Sequence, residues 1–129
     1  MAAAVGTTRR ELVLMLTLNS LCDSYYNFGQ TIASEVMKDG QECGVTIEKP
    51  EVAAALEELI KRGWAKAYWL HIDRTPKEFD HVPTIEEMED FYGAWFDMTD
   101  AGVKVHQGWK FWPWDDDNQI RKDWTPPLN

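Results

Sequence analysis

The sequence predicts an α+β domain, mostly helical, with a small antiparallel hairpin and a Trp-rich C-terminal extension. Three observations lead there. Apolar residues recur at helical spacing in three stretches before Gly63, each with a start or stop signal of its own. Two short aromatic-rich runs, Trp64 to Ile72 and Gly93 to Met98, flank a polar excursion and read as the two arms of a hairpin. Beyond Gly108 the periodicity fades while four of the seven Trp accumulate.

The first helix is expected from about Arg9 to Cys22. Thr8 and Glu11 have capping-box spacing, in which each side chain satisfies an end-of-helix amide. Leu12, Val13, Leu14, Met15, Leu16, Leu18 and Leu21 make this helix apolar nearly all round, as befits a central element or a dimer seam. Asp23-Ser24 and Tyr25-Tyr26 form a connection. Asn27, with Gln30 three residues on, reads as the N-cap of a second helix carrying Phe28, Ile32 and Val36, which Asp39-Gly40 should stop. Gly44 to Ile47 reads as a short strand. Pro50 suits the first turn of a third helix, because its missing amide hydrogen has no partner there. Val52, Leu56, Leu59 and Ile60 form its apolar stripe, and Gly63 ends it. After the first hairpin arm comes the excursion from Asp73 to Asp90, where Thr84 and Glu87 repeat the capping-box spacing. The second arm leads to Thr99, the cap of a last short helix through His106. No internal repeat is present.

At 129 residues, 44% hydrophobic and 12% aromatic, the chain has one domain's worth of sequence and ample material for a core. Its 13 Lys and Arg against 22 Asp and Glu give a formal charge of −9. That balance opposes any mechanism built on broad phosphate attraction, which relies on cationic side chains displacing counterions. Arg9-Arg10, the apolar Leu12 to Leu18 and then Cys22 superficially resemble an export signal. Glu11 interrupts the junction, Thr17, Asn19 and Ser20 shorten the apolar core, and bulky Leu21 occupies a position where cleavage wants a small residue. A cytoplasmic helix is the better reading. Cys22 and Cys43 are then reduced, buried or inert, and no membrane span is expected.

Two motifs carry a resemblance. Pro50-Glu51-Val52-Ala53-Ala54-Ala55-Leu56-Glu57-Glu58-Leu59-Ile60-Lys61-Arg62-Gly63-Trp64 resembles the third helix of a winged helix-turn-helix domain and its exit into the wing. Trp95-Phe96-Asp97-Met98-Thr99-Asp100-Ala101-Gly102 resembles the aromatic-x-leucine-threonine-x-x-glycine return of winged-helix regulators of the multiple-antibiotic-resistance and phenolic-acid-regulator types. The order of elements resembles that superfamily too, over roughly residues 8 to 108. The resemblance implies a winged-helix domain at 1–108, with an extended acidic wing at about 73–92 and an extension at 109–129 that packs on the domain or on a partner. It also implies that the third helix would enter the DNA major groove.

The charge on those reading surfaces has the wrong sign. At 100° steps, Glu51, Ala54, Glu57, Glu58 and Lys61 face outward on the third helix. Between Glu48 and Gly63, four acids outnumber three bases, and between Asp73 and Asp90 seven acids face two bases. Such surfaces repel phosphate. The candidate DNA-facing cations are Arg9, Arg10, Lys61, Arg62, Arg74 and Lys77. For Lys61-Arg62 the plainer role is to complement the helix C-terminus.

Other chemistry has less support. His71, Asp73 and His81 fit no compact metal-ligand template, so neither metal nor cofactor is expected. His106 lies where the end of a helix favours positive charge. Glu86, Glu87, Glu89 and Asp90 read as a solvated helix face. No nucleophile-bearing motif is present and no enzyme is expected. Trp109, Phe111, Trp112, Trp114 and Trp124 must cover something, either this domain's own helices or a partner, and with Tyr25-Tyr26 they could also line a small pocket. The reading that follows is a non-enzymatic, acidic interaction or regulatory module acting with a protein partner or as a homodimer. Its alternative is a dimeric DNA-binding transcriptional regulator.

Overall fold

The computed structural model describes residues 7–21, 26–27, 32–70, 76–89 and 94–127. They form an α+β fold with helices α1 (Arg9–Asn19), α2 (Ala33–Glu42), α3 (Lys49–Lys61), α4 (Ile85–Glu89) and α5 (Asp100–Gly108). A small antiparallel sheet is made of β1 (Tyr26–Asn27), β2 (Ala65–Leu70), β3 (Pro76–Glu78) and β4 (Ala94–Met98), in the order β1-β4-β2-β3. Among the described residues no helix is long and apolar enough to cross a membrane.

α1 begins where the Thr8 hydroxyl accepts the Glu11 amide at 3.1 Å. Only that half of the expected box appears, because the Glu11 carboxylate is used elsewhere. Its Oε2 accepts the Thr7 hydroxyl and its Oε1 accepts the indole N–H of Trp109. Every residue from Leu12 to Leu18 is buried within the chain. Thr17 is tolerated there because its hydroxyl donates to the Val13 carbonyl at 2.7 Å. α1 is therefore the central element of this fold, packed against α2, α3 and α5.

Around α2 the structure differs from expectation. The cap expected at Asn27 rests on Phe28 to Gln30, which lie outside the described residues. Asn27 itself lies in β1 opposite Trp95 of β4. α2 starts after Ile32 and runs through Asp39-Gly40 to Glu42. Gly40 is needed inside the helix for a close approach, since a Cβ there would lie 2.7 Å from both the Val45 carbonyl oxygen and Ile47 Cδ1. The chain turns instead at Gly44, with φ +85°. Gly44 to Ile47 is not a strand. Val45 donates back to the Gly40 carbonyl at 2.8 Å, closing the corner on α2. The two-residue alternation there records one-sided burial of Val45 and Ile47, which a connection lying on the core produces as readily as a sheet does.

α3 carries Pro50 in its first turn, buries Val52, Leu56 and Leu59, and passes through Gly63 at φ +78°. β2 then pairs with β4 in the register Ala65↔Met98, Ala67↔Phe96 and Trp69↔Ala94. Ala65, Ala67, Ala94 and Phe96 are buried, so this face of the hairpin closes the core. The excursion contains a strand that the polar sequence concealed. β3 lies along β2, with Tyr68 opposite Glu78. Phe79 then donates its amide to Ala67 and stacks on Trp69, the rings 4.3 Å apart and tilted by 4°. α4 has a complete capping box: the Thr84 amide donates to Glu87 Oε1 at 2.9 Å, and the Glu87 amide donates to the Thr84 hydroxyl at 3.1 Å.

The return from β4 sets the position of α5, which runs past His106 to Gly108. The Thr99 hydroxyl accepts the Gly102 amide at 3.1 Å and donates to the Gly63 carbonyl at 2.6 Å. Its own amide donates to the Trp64 carbonyl at 3.0 Å. A Cβ on Gly102 would stand 2.1 Å from the Trp64 oxygen, a clash with backbone that no rotamer change relieves. Gly102→Ala is therefore expected to lower unfolding stability by about 2–4 kcal/mol, the range of a strained core insertion that forces backbone apart. Urea denaturation checks this, and Val103→Ala, one position along on the exposed face, should change stability by less than about 1 kcal/mol.

Candidate functional site

Four of the six candidate DNA-facing cations lie along α1 and α3, and each meets an acid on α3. Arg9 Nη2 is 2.8 Å from Glu51 Oε1 and also donates to the Thr46 carbonyl. Arg10 Nη2, on α1, reaches Glu58 Oε1 at 3.0 Å, and Arg62 Nη2 holds Glu58 Oε2 at 2.6 Å. Lys61 pairs with Glu57 one turn back at 2.8 Å. The hydrogen bond from Arg62, joined by the one from Arg10, lowers the Glu58 pKa. Glu57 raises that of Lys61. Lys77 is exposed on β3 opposite Trp69, and Arg74 lies outside the described residues. The helix geometry read from sequence places Glu51, Glu57 and Glu58 outward. It did not reveal that Arg9 and Arg10, more than forty residues earlier, fold onto Glu51 and Glu58.

The tail folds back across the domain's own core, against which Trp109, Trp112, Trp114 and Trp124 are half-buried. Trp109 packs edge-on to Trp112 at 4.6 Å and to Phe111 at 6.1 Å. Trp112 leans on His106 at 4.8 Å. A turn at Asp115 to Asn118 follows, in which Asp115 Oδ1 accepts the amides of Asp117 and Gln119, and Asn118 takes φ 60°. This brings Trp114 opposite Ile120. The Trp124 indole N–H donates to the Cys43 carbonyl at 2.8 Å, and Pro126 covers Gly44.

His106 lies in the last turn of α5, as expected, but half-buried rather than free in solvent. Its Nε2 is 2.8 Å from Asn19 Oδ1 at the close of α1, and burial lowers its pKa. Burial also pushes the Cys43 thiol up to about 11, leaving it protonated and unreactive at neutral pH.

Cys22, Tyr25, His71, Asp73 and Asp90 fall outside the described residues. Among those described, no three His, Cys, Asp or Glu side chains are grouped to hold a metal ion. His81 meets two carboxylates on opposite ring nitrogens: Asp80 Oδ1 at 2.7 Å from Nδ1, and Glu87 Oε1 at 2.9 Å from Nε2. The carboxylates therefore do not converge on one point. Both raise the His81 pKa, Asp80 more strongly; His81 lowers Asp80 in return, and Glu87 is lowered first by the Thr84 amide and then by His81.

One concavity was invisible in the sequence. A groove of about 770 Å³ opens between α1 and α3. Val13 and Leu14 line one wall, Ala54 and Ala55 the other, and Trp64 and Trp109 the end. The only sequence signal was Ala54, a small apolar residue on the outward face of a charged helix. Compared with known proteins, the chain matches no family model, no curated protein and no solved structure.

Two tests follow from these contacts. Trp124→Phe removes a donor to a buried corner and should cost about 1 kcal/mol in urea unfolding, the net worth of one hydrogen bond. The raised His81 pKa means the clamp stabilises the fold fully below the ordinary value of 6.5 and loses that contribution as pH rises through the higher folded-state value. The His81 ring protons in an NMR titration should therefore move with a midpoint above 6.5, and Asp80→Asn should bring that midpoint down.

Proposed function

We propose that this chain is a non-enzymatic interaction module on a winged-helix plan, using its acidic surface to meet a protein partner rather than DNA. The order α1, β1, α2, α3 and the β2–β4 hairpin, with β1 on the outer edge of β4, supports the plan. On this reading the protein acts in the cytoplasm, where Cys43 stays a thiol.

One observation carries the choice of partner class. Arg9, Arg10, Lys61 and Arg62, the cations on the α1–α3 face that would have to grip phosphate, are each engaged by a glutamate of α3. A polyanion approaching that face meets neutralised arginines together with the carboxylates that neutralise them, so counterion release gives little binding free energy. The overall charge of −9 adds long-range repulsion. The same charge steers a basic protein surface toward the molecule and speeds its association.

Sedimentation and DNA titration test the reading together. Wild-type protein should leave random-sequence duplex unshifted even at low salt. Glu51→Gln with Glu58→Gln frees arginines on the same face and should create weak binding that salt abolishes. A wild-type shift at low salt overturns the proposal in favour of the regulator. A strict monomer that recovers no partner from its own cell extract removes its support.

A further inference from the structure

We propose that the groove between α1 and α3 is a binding site for a compact, uncharged apolar molecule, entered beneath the ion pair that joins Arg10 to Glu58. This stands apart from the interaction reading and rests on three features of the groove.

The first is size. Its α1 wall runs from Thr8 to Met15, about 10 Å at 1.5 Å per residue. With a volume of about 770 Å³, it falls within the range of clefts that take small ligands, roughly 300–1,000 Å³. It is too short to seat more than about two turns of a partner helix. Its depth comes from Ala54 and Ala55, where a larger side chain on α3 would fill the space. The second feature is the lining. Val13, Leu14, Val105 and the half-buried indoles of Trp64 and Trp109 leave an apolar interior. Arg62, also a lining residue, lies 4.9 Å over the Trp64 ring.

The third is charge. Three arginines and three glutamates line the groove, so their formal charges sum to zero, and each is already engaged by an ion pair or a hydrogen bond. Arg9 is taken by Glu51, and Arg10 and Arg62 share Glu58. Glu11 accepts Thr7 and Trp109. A charged occupant would shed its hydration and find its counter-charge already engaged, a net cost. An uncharged one gives up little and removes the apolar walls from water. The Arg10–Glu58 pair spans the two walls with the Arg10 side chain 86% exposed. Such a pair is weak and screened by salt, so it can part to admit a ligand.

Fluorescence titration with the uncharged dye Nile red tests this. The expected result is saturable one-to-one binding with blue-shifted emission. Ala54→Trp, on an exposed helical position, should weaken it at least about tenfold, a difference of ~1.4 kcal/mol. Ala54→Met serves as a milder plug if the larger residue disturbs folding, which circular dichroism would reveal. Val103→Ser, an exposed apolar position outside the groove, should leave binding within about twofold of wild type, a difference near RT. The anionic dye anilinonaphthalene sulfonate should bind more weakly than Nile red. Absence of saturable Nile red binding, unchanged binding in a folded Ala54 variant, equal loss in Val103→Ser, or preference for the anionic dye would each overturn the proposal.

Discussion

The backbone at Gly63 and Trp64 holds three elements together at once. Gly63 turns the chain out of α3, its carbonyl accepts the Thr99 hydroxyl, and the Trp64 carbonyl accepts the Thr99 amide. Gly102 lies so close that the Trp64 oxygen would be 2.1 Å from any Cβ it carried. This contact sets the angle between α3 and α5 and the start of the β2–β4 hairpin. It also brings Trp64 and Val105 to the same end of the groove and launches the tail from α5 toward α1. A wider contact would leave α1, whose apolar residues run nearly all round, without cover on one side.

Charge on the α3 face follows from that packing. With α1 laid against α3, the arginines at the start of α1 fall within reach of Glu51 and Glu58. Each ion pair is partly exposed and individually weak. Together they convert a row of acids into a balanced surface over an apolar floor. That balance is what the proposals for a protein partner and for an uncharged ligand both rest on. Further negative charge lies away from this face, at Glu86 on α4, at Asp115 to Asp117 in the tail turn, and on α2 among other places. On α2, burial raises the Asp39 pKa to about 6, with Glu42 and Glu35 adding to it.

The tail settles how so apolar a first helix exists in a single chain. Trp109 is tied to Glu11 at one end of α1 and His106 to Asn19 at the other, while Trp124 reaches the corner after α2. Each polar tip finds a partner and each ring covers core, as aromatic residues with a polar handle allow. These indoles, which by composition alone look like interface anchors, are used within the molecule.

What the sequence by itself determined are the features closed by bonds between near neighbours. The Thr8 and Thr99 caps, the Thr84–Glu87 box, Pro50 at the head of α3 and the turn at Gly63 all join groups within about one helical turn. The inward stripe of Val52, Leu56 and Leu59 is equally local, a matter of helical period. Tertiary structure alone decided the rest. Asn27 pairs with a strand nearly seventy residues later, a contact that no local motif announces. Gly40 looks like a stop, yet Ile47 packs against it and moves the turn to Gly44. β3 exists because β2 offers it an edge, and Arg9 and Arg10 lose their freedom to glutamates more than forty residues away. The groove has no sequence motif because a cavity is the space left between packed helices. Local hydrogen-bond geometry can be read along a chain, but the pairing of distant charges and the volume between distant walls exist only once it has folded.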